Sequence, residues 1–227
     1  MKGYLLGFGS MLVGAGLMLV LIDAEVMADS NGIIPKQQAN ILAKTLELQN
    51  EEFSPKIDVV FVGDSITERG EWSDFFPNIS VANRGVGGNT TADILRRLDS
   101  IVSLKPEYAF MMVGINDIYR GVLLSDILSR YGAIVESLQK KGIEVVIQST
   151  IQCQPSECFY KSKIVNELNA LLKQYAKSLN IRFVKLGVLS KKDGLESIHT
   201  YDGVHLNGKG YRVWVESISP ILSGMGF

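Results

Sequence analysis

The chain has 227 residues, 46% of them hydrophobic, which is enough for one sizeable globular domain and an appendage. Its 23 basic and 24 acidic residues leave a formal charge of −1, without the broad basic surface that nucleic-acid binding needs. Two histidines and two cysteines are too few for most all-protein zinc sites, neither HExxH nor a paired CxxC motif occurs, and nothing in the sequence asks for a metal or a cofactor.

The first element in chain order is the uncharged run YLLGFGSMLVGAGLMLVLI, residues 4–22, which follows Lys2 and ends before Asp23 and Glu25. As a helix rising about 1.5 Å per residue, such a run crosses a bilayer core of about 30 Å, and it lacks the polar face of a soluble amphipathic helix. Residues 1–28 are therefore read as a signal peptide or a transmembrane anchor. Val26-Met27-Ala28 would serve as a small-residue cleavage site, yet the run is longer than the usual signal core of about 7 to 15 residues, so both outcomes stay open. Either one implies export of the rest of the chain to the periplasm or cell surface, held at the inner membrane by residues 4–22 if they are retained.

Residues 29–56 turn polar and are read as a linker with one helix, with Pro35 near its start and Ile41, Leu42, Leu46 and Phe53 on a partly apolar stripe. Beyond it the pattern alternates. Strands are expected at 57–62, 79–84, 108–113, 143–150 and 181–186, all short and mostly apolar on both faces, as in the middle of a parallel sheet. Helices are expected over the segment TTADILRRLDSIVSL (90–104) and over 123–140, 160–179 and 209–223. This alternation predicts right-handed βαβ crossovers and a three-layer α/β/α sandwich around a central, mainly parallel five-stranded sheet, occupying residues 57–227.

Ligands of such sheets collect at the carboxyl ends of the strands, and three chemistry-bearing stretches fall there: GDS (63–65), NRGVGGNTT (83–91) and VGINDI (113–118). A fourth, YDGVHLN (201–207), lies near the C-terminus. GVGG is not a nucleotide cradle, because Walker A needs Gly-Lys-Ser/Thr and the dinucleotide fingerprint needs glycine where Thr90 stands; it also reads as a tight turn capped by Thr90 or Thr91. Serine chemistry needs a base, a carboxylate to orient it and donors for the oxyanion. With Ser65 as the serine, His205 supplies the base and Asp202 the carboxylate, at a spacing that lets the carboxylate accept from Nδ1. His199, the only other histidine, is read as a loop residue. For the oxyanion, Gly88 offers a backbone N–H without a Cβ in the way, and Asn116 a side-chain amide at the end of a strand.

Together these blocks resemble the SGNH hydrolase superfamily, the GDSL esterases and lipases, from about Ile57 to Tyr211. The resemblance implies a flavodoxin-like fold, Ser65 as nucleophile, Asp202 and His205 completing the triad, and the N–H of Ser65 joining Gly88 and Asn116 in the oxyanion hole. GDSITERGEW, NRGVGGNTT and DGVHLNGKGY are most similar to the platelet-activating-factor acetylhydrolase-like branch and its bacterial carbohydrate O-acetylesterases. Asn89 departs from the aspartate of many relatives. The expected activity is hydrolysis of short acyl esters, chiefly acetyl, on a small molecule or glycan. A lysophospholipase or other lipid acylhydrolase, an acyltransferase and a non-catalytic binding domain are the competing readings. Arg84, Asn89, Tyr119 and Arg120 are candidates for substrate contact, although ordinary packing explains each taken singly. The stretch Ile66 to Trp72 is expected to start the wall around the nucleophile. Cys153 and Cys158, in CQPSEC, lie close enough to bridge in an oxidising compartment. Oligomeric state is not legible in the sequence.

Overall fold

A computed structural model describes residues 56–158, 161–191 and 194–227. The expected membrane or signal segment and the linker helix lie outside the described residues. Among the described residues no helix is long and apolar enough to cross a membrane.

The central sheet holds β1 (Val59–Gly63), β2 (Val81–Gly85), β3 (Tyr108–Met112), β4 (Glu144–Gln148) and β5 (Arg182–Val184), in the order β2-β1-β3-β4-β5. Every pairing between neighbours is parallel. Strand side chains alternate between faces, and in the inner strands β1, β3 and β4 both faces are buried, so these strands read as largely apolar runs. Val60 and Val62 of β1 join Ala109, Met111, Val145 and Ile147 on one side. Val59 and Phe61 join Phe110, Met112, Val146 and Val184 on the other.

Helices cover each face. On the first lie α3 (Thr91–Arg96), α4 (Asp99–Val102), α6 (Leu124–Gln139) and α8 (Lys161–Ser178), which send Ile94, Ile101, Ile127, Tyr131, Leu138, Leu168 and Leu172 into the core. On the second lie α2 (Trp72–Phe75) and the C-terminal α9 (Gly208–Gly224), with Trp72, Tyr211, Trp214, Ile218 and Leu222. Trp72 stacks on Phe61 with ring centroids 4.0 Å apart and meets Trp214 edge-on at 4.9 Å, an arrangement that suits aromatic quadrupoles. The remaining short elements are α1 (Ser65–Glu68), α5 (Ile115–Tyr119), α7 (Pro155–Cys158) and a ribbon of β6 (Ser190–Lys191) with β7 (Gly194–Leu195).

Two expectations need correction. The helix expected over 90–104 is broken between α3 and α4. The break falls at Arg97, whose guanidinium is drawn inward to the carbonyls of Arg84 (2.8 Å) and Gly63 (3.3 Å). Ile66 and Trp72 do not line a wall: both are buried in the core beneath the serine turn.

The strand order reverses direction between β1 and β3, the switch point at which doubly wound sheets open a crevice for ligands. GDS leaves β1, the glycine-rich stretch leaves β2 and VGINDI leaves β3. The topology thus brings three of the four stretches to one place.

Candidate active site

Ser65 opens α1 directly after β1. Asp64 caps that turn, its Oδ1 accepting from the Ile66 N–H at 3.0 Å. Gly63 is required here because a Cβ would overlap the Met112 carbonyl oxygen and Thr67 Oγ1. The turn is pinned from several sides. Trp72 Nε1 donates to the Thr67 carbonyl (2.9 Å) and Tyr211 Oη to the Ile66 carbonyl (2.6 Å). The Asn83 amide reaches the carbonyls of Thr67, Glu68 and Gly70 at 2.9 to 3.2 Å. At the N-terminus of α1 the Ser65 N–H has no acceptor within its own helix.

After β2 the chain turns at Val86–Asn89, closed by the Asn89 N–H donating to the Val86 carbonyl at 3.1 Å. Gly88 takes the third position with φ +75°, the left-handed value that a type II turn demands there. Arg120 Nη2 donates to the Gly88 carbonyl at 2.9 Å, so the arginine read as a candidate substrate contact braces this turn. Thr90 then caps α3 in a capping box with Asp93.

Asn116 lies in the first turn of α5, beyond β3. Its Nδ2 donates to the Asn89 carbonyl at 3.0 Å, which fixes the amide while leaving the second Nδ2 hydrogen available. Asp117, fully buried, accepts from the Thr91 N–H (2.9 Å) and Oγ1 (2.6 Å), tying the start of α3 to α5. Burial pushes its carboxyl upward against the effect of these hydrogen bonds.

The fourth stretch is a loop closed on itself. Asp202 Oδ1 accepts from the N–H of His205 (2.7 Å) and of Val204 (2.9 Å), while its Oδ2 lies 2.7 Å from His205 Nδ1. Burial alone would raise the Asp202 carboxyl, but these donors outweigh it and bring the group down to about 2, so it is ionised at neutral pH. A carboxylate only accepts; Nδ1 therefore carries a hydrogen, and in the neutral form of an imidazole so held Nε2 is the acceptor. That Nε2 lies 2.9 Å from Ser65 Oγ.

Sequence reasoning missed the supports of this loop. Thr200 Oγ1 accepts from the Gly203 N–H (2.9 Å) and donates to the His205 carbonyl (2.6 Å). Asn207 donates to the carbonyls of Ile198 and Thr200 and caps α9 through its Oδ1. From outside the loop, the Gln154 N–H donates to the Gly203 carbonyl at 2.6 Å. Gln154 follows Cys153, which is joined to Cys158 in a disulfide with Cα atoms 5.6 Å apart, inside the usual range. The signals for these supports were single polar residues inside turns, which carry no periodicity.

His199 stands apart from the serine, with Nδ1 3.1 Å from the Leu189 carbonyl. Arg84 and Asn89 are 4% and 0% exposed, which corrects their reading as substrate contacts. Arg84 is packed within β2, and Asn89 Oδ1 accepts from Arg97 Nε at 2.7 Å. Burial and the repulsion of Arg84 lower Arg97 to about 10, so it keeps its charge at neutral pH. Tyr119 is half-buried. Its hydroxyl donates to the Glu157 carbonyl (3.0 Å) and sits 3.2 Å from Cys153 Sγ, so it buttresses the disulfide turn.

A hydroxyl at the carboxyl edge of a parallel sheet, in hydrogen-bonded line with an imidazole and a carboxylate, is the equipment of a serine hydrolase. The family model described as GDSL-like Lipase/Acylhydrolase matches residues 61–213, and the chain belongs to that family, the GDSL or SGNH acylhydrolases. The human platelet-activating factor acetylhydrolase IB subunit alpha2 is 27% identical over 166 residues, spanning 68% of this chain and 71% of the relative. A GDSL-like lipase from Bacteroides thetaiotaomicron superposes with a TM-score of 0.72 at 25% identity, covering 82% of this chain and 98% of the other. An acetylxylan esterase from Geobacillus stearothermophilus shares the fold with a TM-score of 0.61 at 20% identity, covering 77% and 96%. The protein is a serine esterase acting on carboxylic esters.

Proposed function

We propose that this esterase is exported and removes short acyl groups, acetyl above all, from sugars or glycans, with Ser65, His205 and Asp202 as its catalytic triad. The observation that carries the triad is the unbroken line from Ser65 Oγ to His205 Nε2 (2.9 Å) and from His205 Nδ1 to Asp202 Oδ2 (2.7 Å).

In the first step Ser65 Oγ attacks the ester carbonyl carbon while His205 Nε2 takes the hydroxyl proton. The imidazolium so formed is stabilised by the Asp202 carboxylate, which stays ionised. Charge developing on the carbonyl oxygen is met by the N–H groups of Ser65 and Gly88 and by the free Nδ2 hydrogen of Asn116. Collapse expels the sugar oxygen, which leaves as the hydroxyl with the proton from His205, and Ser65 is acylated. A water then gives its proton to His205, attacks the acyl carbonyl and releases the acid, returning the proton to Ser65.

The preference for acetyl draws on the relatives: an acetylhydrolase subunit and an acetylxylan esterase share a two-carbon acyl group in their names. Export draws on the uncharged run at residues 4–22 and on the Cys153–Cys158 bridge, since disulfides persist in oxidising compartments. The lipid acylhydrolase is the second reading, favoured by the GDSL-like lipase among the similar structures.

Chain-length preference separates the two. 4-Nitrophenyl acetate should be cleaved with higher kcat/KM than the octanoyl ester, acetate should be released from acetylated sugars, and Ser65→Ala should abolish both activities. A clear preference for octanoyl or longer esters, with no acetate released from any sugar, would move the assignment to lipids.

A further inference from the structure

Tyr201 precedes the carboxylate of the Asp202–His205 pair and is 61% exposed. A large aromatic ring left in water beside a reactive imidazole has no packing role in the core to account for it. Its plane lies within 16° of the His205 ring, with centroids 6.1 Å apart. Its hydroxyl accepts a hydrogen bond from Arg69, whose guanidinium carbon lies 5.8 Å from the ring centroid. Arg69 ends the nucleophile turn, its N–H donating to the Ser65 carbonyl at 3.2 Å. The pair therefore spans from the serine turn to the histidine loop, along one side of the Ser65–His205 hydrogen bond.

We propose that Tyr201 and Arg69 form the subsite for the leaving alcohol, taking a pyranose ring of a glycan against the tyrosine face. The inference rests on the sugar-ester reading above. A phenol ring offers a flat apolar face with negative quadrupole density and gives up little side-chain entropy on binding, which matches the C–H face of a sugar. The Arg69 fork presents several N–H donors at the edge of that platform, suited to the ring hydroxyls. Position supports the assignment. His205 delivers its proton to the leaving oxygen, so the group that leaves must lie on the His205 side of the nucleophile, which is where Tyr201 stands. An acyl chain, in contrast, remains attached to Ser65 after the alcohol has gone.

The test compares the full-length chain with Tyr201→Ala, Tyr201→Phe and Arg69→Ala on acetylated xylooligosaccharides and on 4-nitrophenyl acetate, which carries no sugar. For Tyr201→Ala, kcat/KM on the oligosaccharide should fall about tenfold further than on the nitrophenyl ester, the size of one aromatic contact, with most of the difference in KM. Tyr201→Phe keeps the ring and should retain most of the oligosaccharide activity; Arg69→Ala should fall between the two. Equal losses on both esters, carried by kcat, would overturn the platform and make Tyr201 a positioning residue for His205. An unchanged oligosaccharide KM in Tyr201→Ala would also overturn it while leaving the sugar-ester reading intact. If the unmodified chain releases no acetate from the oligosaccharides, both the sugar reading and the subsite fail.

Discussion

The two halves of the candidate triad are held by different means. Ser65 follows a central strand, and the turn that bears it is fastened by the buried Trp72 and Tyr211 and the half-buried Asn83, on three separate elements. The half that carries Asp202 and His205 is a surface loop outside the main sheet, which organises itself through Asp202 Oδ1, Thr200 and Asn207 and leans on the disulfide turn through Gln154. Ser65 is thus fixed by the core, and His205 by local hydrogen bonds. Perturbing the core should alter stability and activity together, whereas perturbing the loop should alter activity with little effect on the core.

The sharpest test of that difference is Asp202→Asn, which keeps the side chain's shape and removes its charge. It should lower kcat by about 10⁴-fold, as expected when the imidazole loses the partner that sets its tautomer, while the thermal midpoint changes little. A large loss of stability would mean that the loop is part of the core after all. Next in size is Asn116→Ala, which removes one of the proposed oxyanion donors and should cost about 10² to 10³ in kcat. An effect confined to KM would remove Asn116 from the oxyanion hole.

The disulfide turn should show a smaller, mixed effect. Replacing both Cys153 and Cys158 by serine releases the Gln154 brace on Gly203; kcat should fall severalfold, and stability by about 2 kcal/mol from the lost loop constraint, measured by urea unfolding. Unchanged kcat would show that the histidine loop needs no support from that side.

The smallest effect concerns Asp64, on the nucleophile side. Burial raises its carboxyl to about 7, with the Asp117 charge adding to the rise and the Ile66 N–H opposing it. The native state therefore keeps a proton that the unfolded chain releases near pH 4. Stability from this group is greatest below about pH 4 and falls as pH climbs toward 7. Asp64→Asn preserves the acceptor for Ile66 and should remove part of that fall, seen as a flatter urea midpoint between pH 4.5 and 8. An unchanged pH slope would show that Asp64 titrates normally.

Much of this arrangement was legible in the sequence. The doubly apolar strands gave a parallel sheet, and a parallel sheet dictates where GDS, the Gly88 turn and Asn116 meet. The Asp202–His205 spacing was readable because three residues are enough for a self-closing turn. The break at Arg97 was hidden, since helical periodicity continues through it and the cause lies in the carbonyls of Gly63 and Arg84, far back along the chain. The burial of Arg84 and Asn89 escaped for a related reason: a charged or amide side chain reads as exposed unless its buried partners are known. Arg120 on Gly88 and Gln154 on Gly203 were invisible because each is one bond between a loop and a distant backbone group.

The proposed mechanism stands on Ser65 as the nucleophile, activated by His205. Incubating the full-length chain with a fluorophosphonate probe, followed by intact-mass measurement and peptide mapping, tests it directly. A single adduct is expected on Ser65, with loss of esterase activity in step with labelling, and neither label nor activity in Ser65→Ala. An adduct on another residue, or a Ser65→Ala chain that still hydrolyses 4-nitrophenyl acetate at the original rate, would contradict it.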